Sequence, residues 1–372
     1  MKILYSILRL LIGSFFIFSG FVKAVDTKGT EYKLHEYFTL DNSVLNIPFL
    51  ANNALYISVF FVIFELLLGV FLLLGLWKKF TLPSFLLTII FFSFLTFYSA
   101  YYKKVTDCGC FGDFMKFEPW TSFYKDIILL IFILFLFIFH KNYDAFFKPK
   151  ISYIVVFLSL IFSIFIVYLG INHNPLLDFR PFAVGKKNQD GMKGVPEDRR
   201  QIYILRNSKT KEVKKMDSKT YSDTNIWEDS LWVLDEKNIK DSVFSEGIKP
   251  KINGFFITTK NGDETEKYLN TNRLLLIVFP ENEYCSKGVQ NVYTLLNSMD
   301  ISHKKQIEIL CLASKQNVLN DVNSGIADDK IMKAMIRSTP GILLLSKGKV
   351  IAKYHFNDIP ESKEIYKLFN IK

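Results

Sequence analysis

Nearly all the long apolar runs of this 372-residue chain fall in its first 172 residues. Five of them, at roughly 3–22, 54–77, 80–102, 120–140 and 151–171, reach the length of about 20 residues that a helix needs to cross a bilayer. They predict five membrane spans. The first run follows Lys2 and ends near Ser19-Gly20, as a secretory signal would, but it is long for a signal core and four further runs follow it. It therefore reads as a retained span.

After residue 172 the pattern becomes polar and Lys-rich, which predicts a soluble half. The stretch Asp178 to Gly185 reads as a structured linker from its Pro and Gly punctuation, or else as a segment docked on the membrane surface. Tyr203-Ile204-Leu205 followed by the Lys-rich Ser208–Lys215 predicts a hairpin. Trp227 and Trp232 predict a small packed unit around them, because large aromatics supply much buried area. Asn261-Gly262-Asp263 predicts a tight turn after Gly254–Thr259. Leu274–Phe279, Ile307–Leu312 and Ile342–Leu345 are short apolar runs that predict buried strands. Cys285 opens a helical pattern after the first of these, a polar helical stretch follows the second, and a Lys347-Gly348 turn leads from the third into Val350-Ile351-Ala352. Strands alternating with helices predict an α/β sheet. The fold class expected is thus a membrane α-helical bundle followed by a soluble α/β domain. Its divisions are 1–141 for a transmembrane domain, 142–172 for a fifth transmembrane helix, 173–250 for a linker with a small β-rich segment, and 251–372 for the α/β domain.

Charge adds orientation. The chain carries a net +10, yet no basic stripe interleaved with aromatics and no nucleic-acid motif is present, so nucleic acid is not an expected partner. Lys78-Lys79 and the group Lys141, Lys148 and Lys150, opposed only by Asp144, mark alternate short loops. The positive-inside bias then places the N-terminus in the cytoplasm. Five spans put the C-terminal half in a periplasm, and the localisation expected is a bacterial inner membrane, with membrane lipids as neighbours.

The candidate chemistry lies in Asp107-Cys108-Gly109-Cys110-Phe111-Gly112-Asp113, a loop between the third and fourth spans and on that same outer side. Disulfide chemistry persists in oxidising compartments. An i,i+2 cysteine pair meets the Cα separation a disulfide requires, and Gly109 relaxes the backbone there. A strained disulfide is labile, which suits an exchange site. Metal ligation is the weaker reading, because no second Cys or His pair stands nearby, and a structural role is the third. Glu65 lies mid-span, where an ionisable group faces a partner or cavity. It reads either as a proton or quinone contact or as a packing carboxyl bonded to a neighbouring span. Arg9 is a candidate partner, although snorkelling would carry it to the cytoplasmic edge. Lys125 and Asp126 open the fourth span near the thiols and read as interfacial anchors, with thiolate stabilisation by Lys125 as the alternative.

Two resemblances follow from these residues. Arg9-Leu10-Leu11-Ile12-Gly13 with Phe18-Ser19-Gly20-Phe21-Val22-Lys23 resembles the first span of DoxX-type membrane proteins. Glu65 with Gly69 and Gly75, followed by Cys-Gly-Cys-Phe-Gly, resembles the related MauE proteins of methylamine utilisation. Together they cover about residues 1–140, a four-helix unit. The resemblance implies membrane-linked thiol redox chemistry, with quinone as an implied electron carrier. A fifth span and a soluble tail depart from the four-span form and resemble a fusion seen in Bacteroidetes-type bacteria. Residues 250–370 resemble the thioredoxin fold: Cys285 stands where that family places its nucleophile, and Thr339-Pro340 matches its cis-proline loop. That family's motif is Cys-x-x-Cys, whereas here Cys285-Ser286-Lys287-Gly288 lacks the second cysteine. Cys285 is therefore either a reactive thiol, its pKa depressed by the helix start and Lys287, or the mark of a binding-only domain. Cys311 reads as inert core.

These readings give a membrane thiol–disulfide exchange protein acting through Cys108, Cys110 and Cys285, supported by Gly109, Gly112, Lys125, Asp126, Glu65 and Pro340. A periplasmic thiol or disulfide protein would be its partner. The alternative is a non-catalytic membrane anchor or assembly factor with a degenerate thioredoxin-like binding domain. Transport through the spans is disfavoured by their sparse polar groups.

Overall fold

A computed structural model describes residues 2–39, 46–102, 109, 111–245, 247–248, 250–280, 285–315, 318–319 and 322–371. The chain divides into two compact units, one of residues 1–185 with 256–372 and one of residues 186–255.

In the larger unit the apolar runs form five long helices, α1 (Lys2–Val25), α4 (Ala54–Leu74), α5 (Lys78–Tyr102), α6 (Pro119–Ile138) and α7 (Pro149–Asn172), with α2 (Thr27–Phe38) and α3 (Pro48–Asn52) between the first two. Each of the five is long and apolar enough to cross a membrane. Their bounds agree with the expected spans to within a few residues. Helices α1 and α4 lie close because small residues face each other: a Cβ on Gly69 would stand 2.8 Å from the carbonyl oxygen of Gly13. Tyr5, Ile12 and Phe16 then pack with Leu66, Leu68 and Leu72, with Phe85 and Ile89 of α5 and with Ile133 and Leu136 of α6. Leu87 and Ile90 of α5, Ile128 and Ile131 of α6, and Ile154 and Phe157 of α7 point outward. In water such a surface would be costly, and in lipid it is the expected exterior.

Helix α2 is absent from the hydropathy pattern. Asp26 starts it as N-cap, its carboxylate accepting the Gly29 N–H at 3.0 Å.

The smaller unit holds α8 (Asn188–Met192), β1 (Asp198–Asn207), β2 (Val213–Asp217), α9 (Ser218–Thr224), β3 (Trp232–Leu234) and β4 (Lys240–Ser245). The expected hairpin is β1 with β2, antiparallel, and β3 and β4 pair with β1 along different parts of its length. Residues 186–255 do form a compact unit, but Trp227 is exposed in it, with its ring centroid 5.4 Å from that of Tyr221, while Trp232 of β3 is half-buried with the Lys214 ammonium 4.4 Å from its ring. So short a sheet leaves much of both faces uncovered.

Residues 256–371 return to the larger unit with β5 (Thr258–Thr259), β6 (Gly262–Asp263), α10 (Thr265–Asn270), β7 (Leu274–Phe279), α11 (Ser286–Ser298), α12 (Ile301–Lys304), β8 (Glu308–Ala313), β9 (Asn323–Ile326), α13 (Asp329–Met335), β10 (Gly341–Ser346), β11 (Lys349–His355) and α14 (Ser362–Leu368). The sheet order is β11-β10-β7-β8-β9-β5-β6. Strands β7, β8 and β9 run parallel, and β10 and β11 run antiparallel to their neighbours. All of β7 is buried, as expected of a strand covered on both faces. Leu275, Ile277 and Ile342 of the sheet pack with Val292 and Leu296 of α11 and Ile365 of α14. The stretch after β8 differs from the expected helix, since strand β9 precedes α13 there. Asp178–Gly185 packs on the sheet: Phe182 is buried, and the Gly185 N–H donates to Val350 O at 2.8 Å.

Candidate functional site

Cys108 and Cys110 lie outside the described residues, and Gly109 between them is described. Gly109 and Gly112 both have positive φ, +66° and +49°, and the Gly112 N–H donates to Gly109 O at 3.0 Å. This left-handed turn is one that glycine adopts without steric cost. Phe111 anchors it. The ring is buried 5.3 Å from Phe15 and 6.0 Å from Phe18, both on α1.

Lys125 stands above this anchor, its Nζ 5.7 Å from the centroids of both Phe15 and Phe111. It pairs with Asp126 at 2.6 Å, and Asp126 also accepts the Thr96 hydroxyl at 3.0 Å. Asp126 is 1 % exposed and joins α5 to α6 through Thr96.

Glu65 has a partner that sequence reading did not pair with it. Lys23, at the end of α1, reaches both of its carboxylate oxygens, at 2.7 and 3.0 Å, and donates to Ser19 Oγ at 3.2 Å. Arg9 is not the partner of Glu65; its side chain runs toward the end of α4 and the loop after α6. It is 2 % exposed and donates to the carbonyls of Leu73 and Asp144, with its guanidinium 3.9 Å from the Phe146 ring centroid. It thus satisfies the C-terminal end of α4. Lys23 was visible as the last residue of the first-span motif, but nothing in the sequence joins positions 42 residues apart.

The largest omission of sequence reading is Arg337. It lies just past α13, is 6 % exposed, and reaches across to the helical part. Its Nε and Nη2 donate to the two oxygens of Asp26 at 2.8 Å each, and Nη2 also meets Asp113 at 2.7 Å. Asp113 lies three residues beyond Cys110 and also pairs with Lys116 at 3.0 Å. Burial opposes the charge of Asp26, but Arg337 overcomes it and holds the carboxyl below its ordinary range. The same balance holds Arg337 firmly charged. Nearby, Asp178 accepts from Arg180 and Lys353 at 2.7 Å each. Burial works against this carboxylate too, and the two cations still depress its pKa strongly.

The segment that carries Arg337 also holds Cys285. The Thr339–Pro340 bond is cis, and Thr339 O accepts the Cys285 N–H at 3.5 Å. Gly288 fits against Pro340: a Cβ there would stand 2.6 Å from the proline Cδ. Cys285 is exposed at the N-cap of α11, while Lys287 is engaged with Asn357 Oδ1 at 3.2 Å. Cys311 is buried in β8, and burial pushes its thiol up to about 12, which leaves it inert.

Two cavities meet at the glycine turn. One of about 370 Å³, bordered largely by charged residues, lies between α2, the 109–116 loop and α13. A narrow apolar cleft of about 60 Å³ is bordered by Phe61, Phe91 and Phe92 and ends on Lys23 and Glu65. Gly29, Lys33, Gly109 and Gly112 line both. Among the described residues no cluster of three or more metal-ligating side chains occurs.

Residues 1–139 match the family model of methylamine utilisation protein MauE. The match spans α1 to α6 and the loop between α5 and α6, and leaves out α13 and Arg337. With the five apolar helices, it is consistent with an integral membrane protein. No curated protein and no solved structure matches the chain.

Proposed function

We propose that this protein exchanges thiols and disulfides at a membrane surface through Cys108 and Cys110, with Cys285 as a further thiol. The observation that carries this reading is the double attachment of the 337–340 segment. Arg337 is bonded to Asp113 of the cysteine loop, and Thr339 is bonded to Cys285. The exposed thiol and the loop are thus presented on one side of the bundle. The sheet itself reads as a thioredoxin-like domain, with Cys285 at the start of α11 beside Pro340 and β10 and β11 forming the antiparallel edge. The charge bias of the short loops supports a periplasmic side of a bacterial inner membrane for this face. The chemistry is thiolate attack on a sulfur, formation of a mixed disulfide, and its resolution by the neighbouring thiol. A periplasmic protein thiol or disulfide is one partner. A quinone would meet the loop through the apolar cleft over Lys23 and Glu65, which at about 60 Å³ admits a ring only if a side chain such as Phe92 moves.

The test is trapping in cells. Cys110→Ala should accumulate a disulfide-linked adduct through Cys108. If neither cysteine changes oxidation state during growth, the proposal fails. A second reading, a membrane anchor with a degenerate binding domain, is favoured by the missing second cysteine at Gly288. Cys285→Ala separates the two: it leaves an anchor functional and disables an exchanger that needs this thiol.

A further inference from the structure

The end of the bundle that carries the start of α1 is strongly basic. Residues 1–12, 70–85 and 136–155 meet there, with Tyr5 bonded to Leu136 O and Arg9 to Asp144 O. They hold Lys2, Lys78, Lys79, Lys141, Lys148 and Lys150 against a single carboxylate, that of Asp144. The two linking segments touch: the Phe146 N–H donates to Leu74 O at 3.3 Å, and the Trp77 and Tyr153 rings lie 6.2 Å apart. All six lysines are exposed, and among the described residues none of them is ion-paired. Their charge is left for something outside the chain to neutralise.

An apolar groove of about 330 Å³ opens toward the same end. It lies between α1, α4 and α7, bordered by Ile17 and Phe21, by Leu66 and Leu74, and by Val155 and Phe162. Leu74 and Val155 stand at its basic end, four residues before Lys78 and five after Lys150. Phe21 and Phe162 stand at the other end, stacked with centroids 6.3 Å apart and planes 8° apart. From Leu66 to Leu74 the helix rises about 12 Å at ~1.5 Å per residue. Half of a hydrocarbon core of ~30 Å is about 15 Å, so the groove runs through most of one leaflet. Trp77 and Tyr153 then lie where amphipathic rings settle, at the headgroup level.

We propose that this groove holds one acyl chain of an anionic phospholipid whose phosphate sits among Lys78, Lys79, Lys148 and Lys150. Exposed lysines beside a membrane attract anionic lipid diffusely. The groove fixes one molecule beneath them, and the unpaired ammonium groups select its headgroup. The site is independent of the thiol–disulfide reading, since it involves no cysteine and lies at the opposite end of α1 from Asp26.

Delipidated full-length protein in detergent is titrated with phosphatidylglycerol and, separately, with phosphatidylcholine of the same chains, and native mass spectrometry counts the bound lipid. One phosphatidylglycerol should bind about tenfold more tightly than phosphatidylcholine. Lys78→Gln, Lys79→Gln, Lys148→Gln and Lys150→Gln combined should bring the two affinities together. Val155→Phe and Ser159→Phe, each on the groove wall, should separately weaken both lipids about tenfold by filling the space the chain occupies. Equal affinity of the wild type for the two lipids overturns the proposal in favour of an unselective lipid contact. Undiminished binding in both groove variants also overturns it and leaves only headgroups drawn to basic loops. Protein that dimerises in nanodiscs and binds no phosphatidylglycerol overturns it in favour of a second copy of the chain in the groove.

Discussion

Arg337 meets Asp113 at 2.7 Å while its other guanidinium edge holds Asp26 in two parallel hydrogen bonds. One side chain therefore joins the cysteine loop, the start of α2 and the end of α13. A planar guanidinium suits this geometry, which an ammonium does not reproduce. Arg337→Ala leaves Asp26 buried without its partner, and removal of one member of a buried pair costs about 3–5 kcal/mol. We predict a lower melting temperature in detergent and new proteolytic cleavage between the helices and the sheet, with Arg337→Lys restoring only part of the loss. Wild-type melting and cleavage in Arg337→Ala would remove the latch from the account.

The Lys23–Glu65 pair makes a separate prediction. Both groups are buried, and each carboxylate oxygen is within hydrogen-bond reach of the ammonium. Lys23→Met alone and Glu65→Met alone should each destabilise by about 3–5 kcal/mol, whereas the double variant should lie close to wild type. Melting of the three variants in detergent measures the coupling. Additive losses would show that the two groups act independently.

Thiol accessibility separates the two described cysteines. Cys285 should react with a maleimide in the native protein within minutes, as an exposed thiol does. Cys311, whose thiol burial pushes up to about 12, should react only after denaturation. Mass spectrometry of the labelled protein reads both, and native labelling of Cys311 would contradict the packing of β8.

His355 sets a pH dependence. It is buried, and its Nδ1 accepts the Asn357 N–H at 3.1 Å, which requires that nitrogen to be unprotonated. Burial pushes its pKa down to about 4, with Asp358 opposing and His173 and Lys28 adding to the effect. An unfolded histidine titrates near 6.5, so between about 6.5 and 4 the unfolded chain holds the extra proton. Stability from this group is complete above about 6.5 and declines as pH falls through that window. Melting temperature followed from pH 7 to 4 should show the decline, and His355→Gln should flatten the part due to this residue. Identical slopes in both proteins would assign the dependence to other groups.

What could be read from the sequence depended on how local each signal was. The five long helices were legible because about 20 apolar residues in a row admit few other structures. Strands β7, β8 and β10 were legible as short apolar runs bounded by polar ones. Helix α2 was not, because Thr27–Phe38 mixes charges and aromatics without a clear stripe. Strand β9 was missed because Asn323-Ser324-Gly325-Ile326 is polar and lacks strand-forming side chains. Trp227 misled, since an aromatic marks burial only when enough chain surrounds it. At the site, the glycines, Glu65 and Asp126 were visible as unusual residues in their positions. Lys23 and Arg337 became significant only through partners brought to them by the fold. The single local hint for Arg337 was its place two residues before Thr339-Pro340.

The reach of Arg337 has a consequence for how the protein is made. Asp26 precedes its partner by 311 residues along the chain. At a synthesis rate of about 5–20 residues per second, this carboxylate exists for roughly 15–60 s before the arginine that neutralises it is made. The segments bearing Asp26 and Asp113 are therefore made first, with their acidic side still open. The last third of the chain closes it. A ribosome that stops before Arg337 therefore leaves Asp26 and Asp113 without the side chain that joins them.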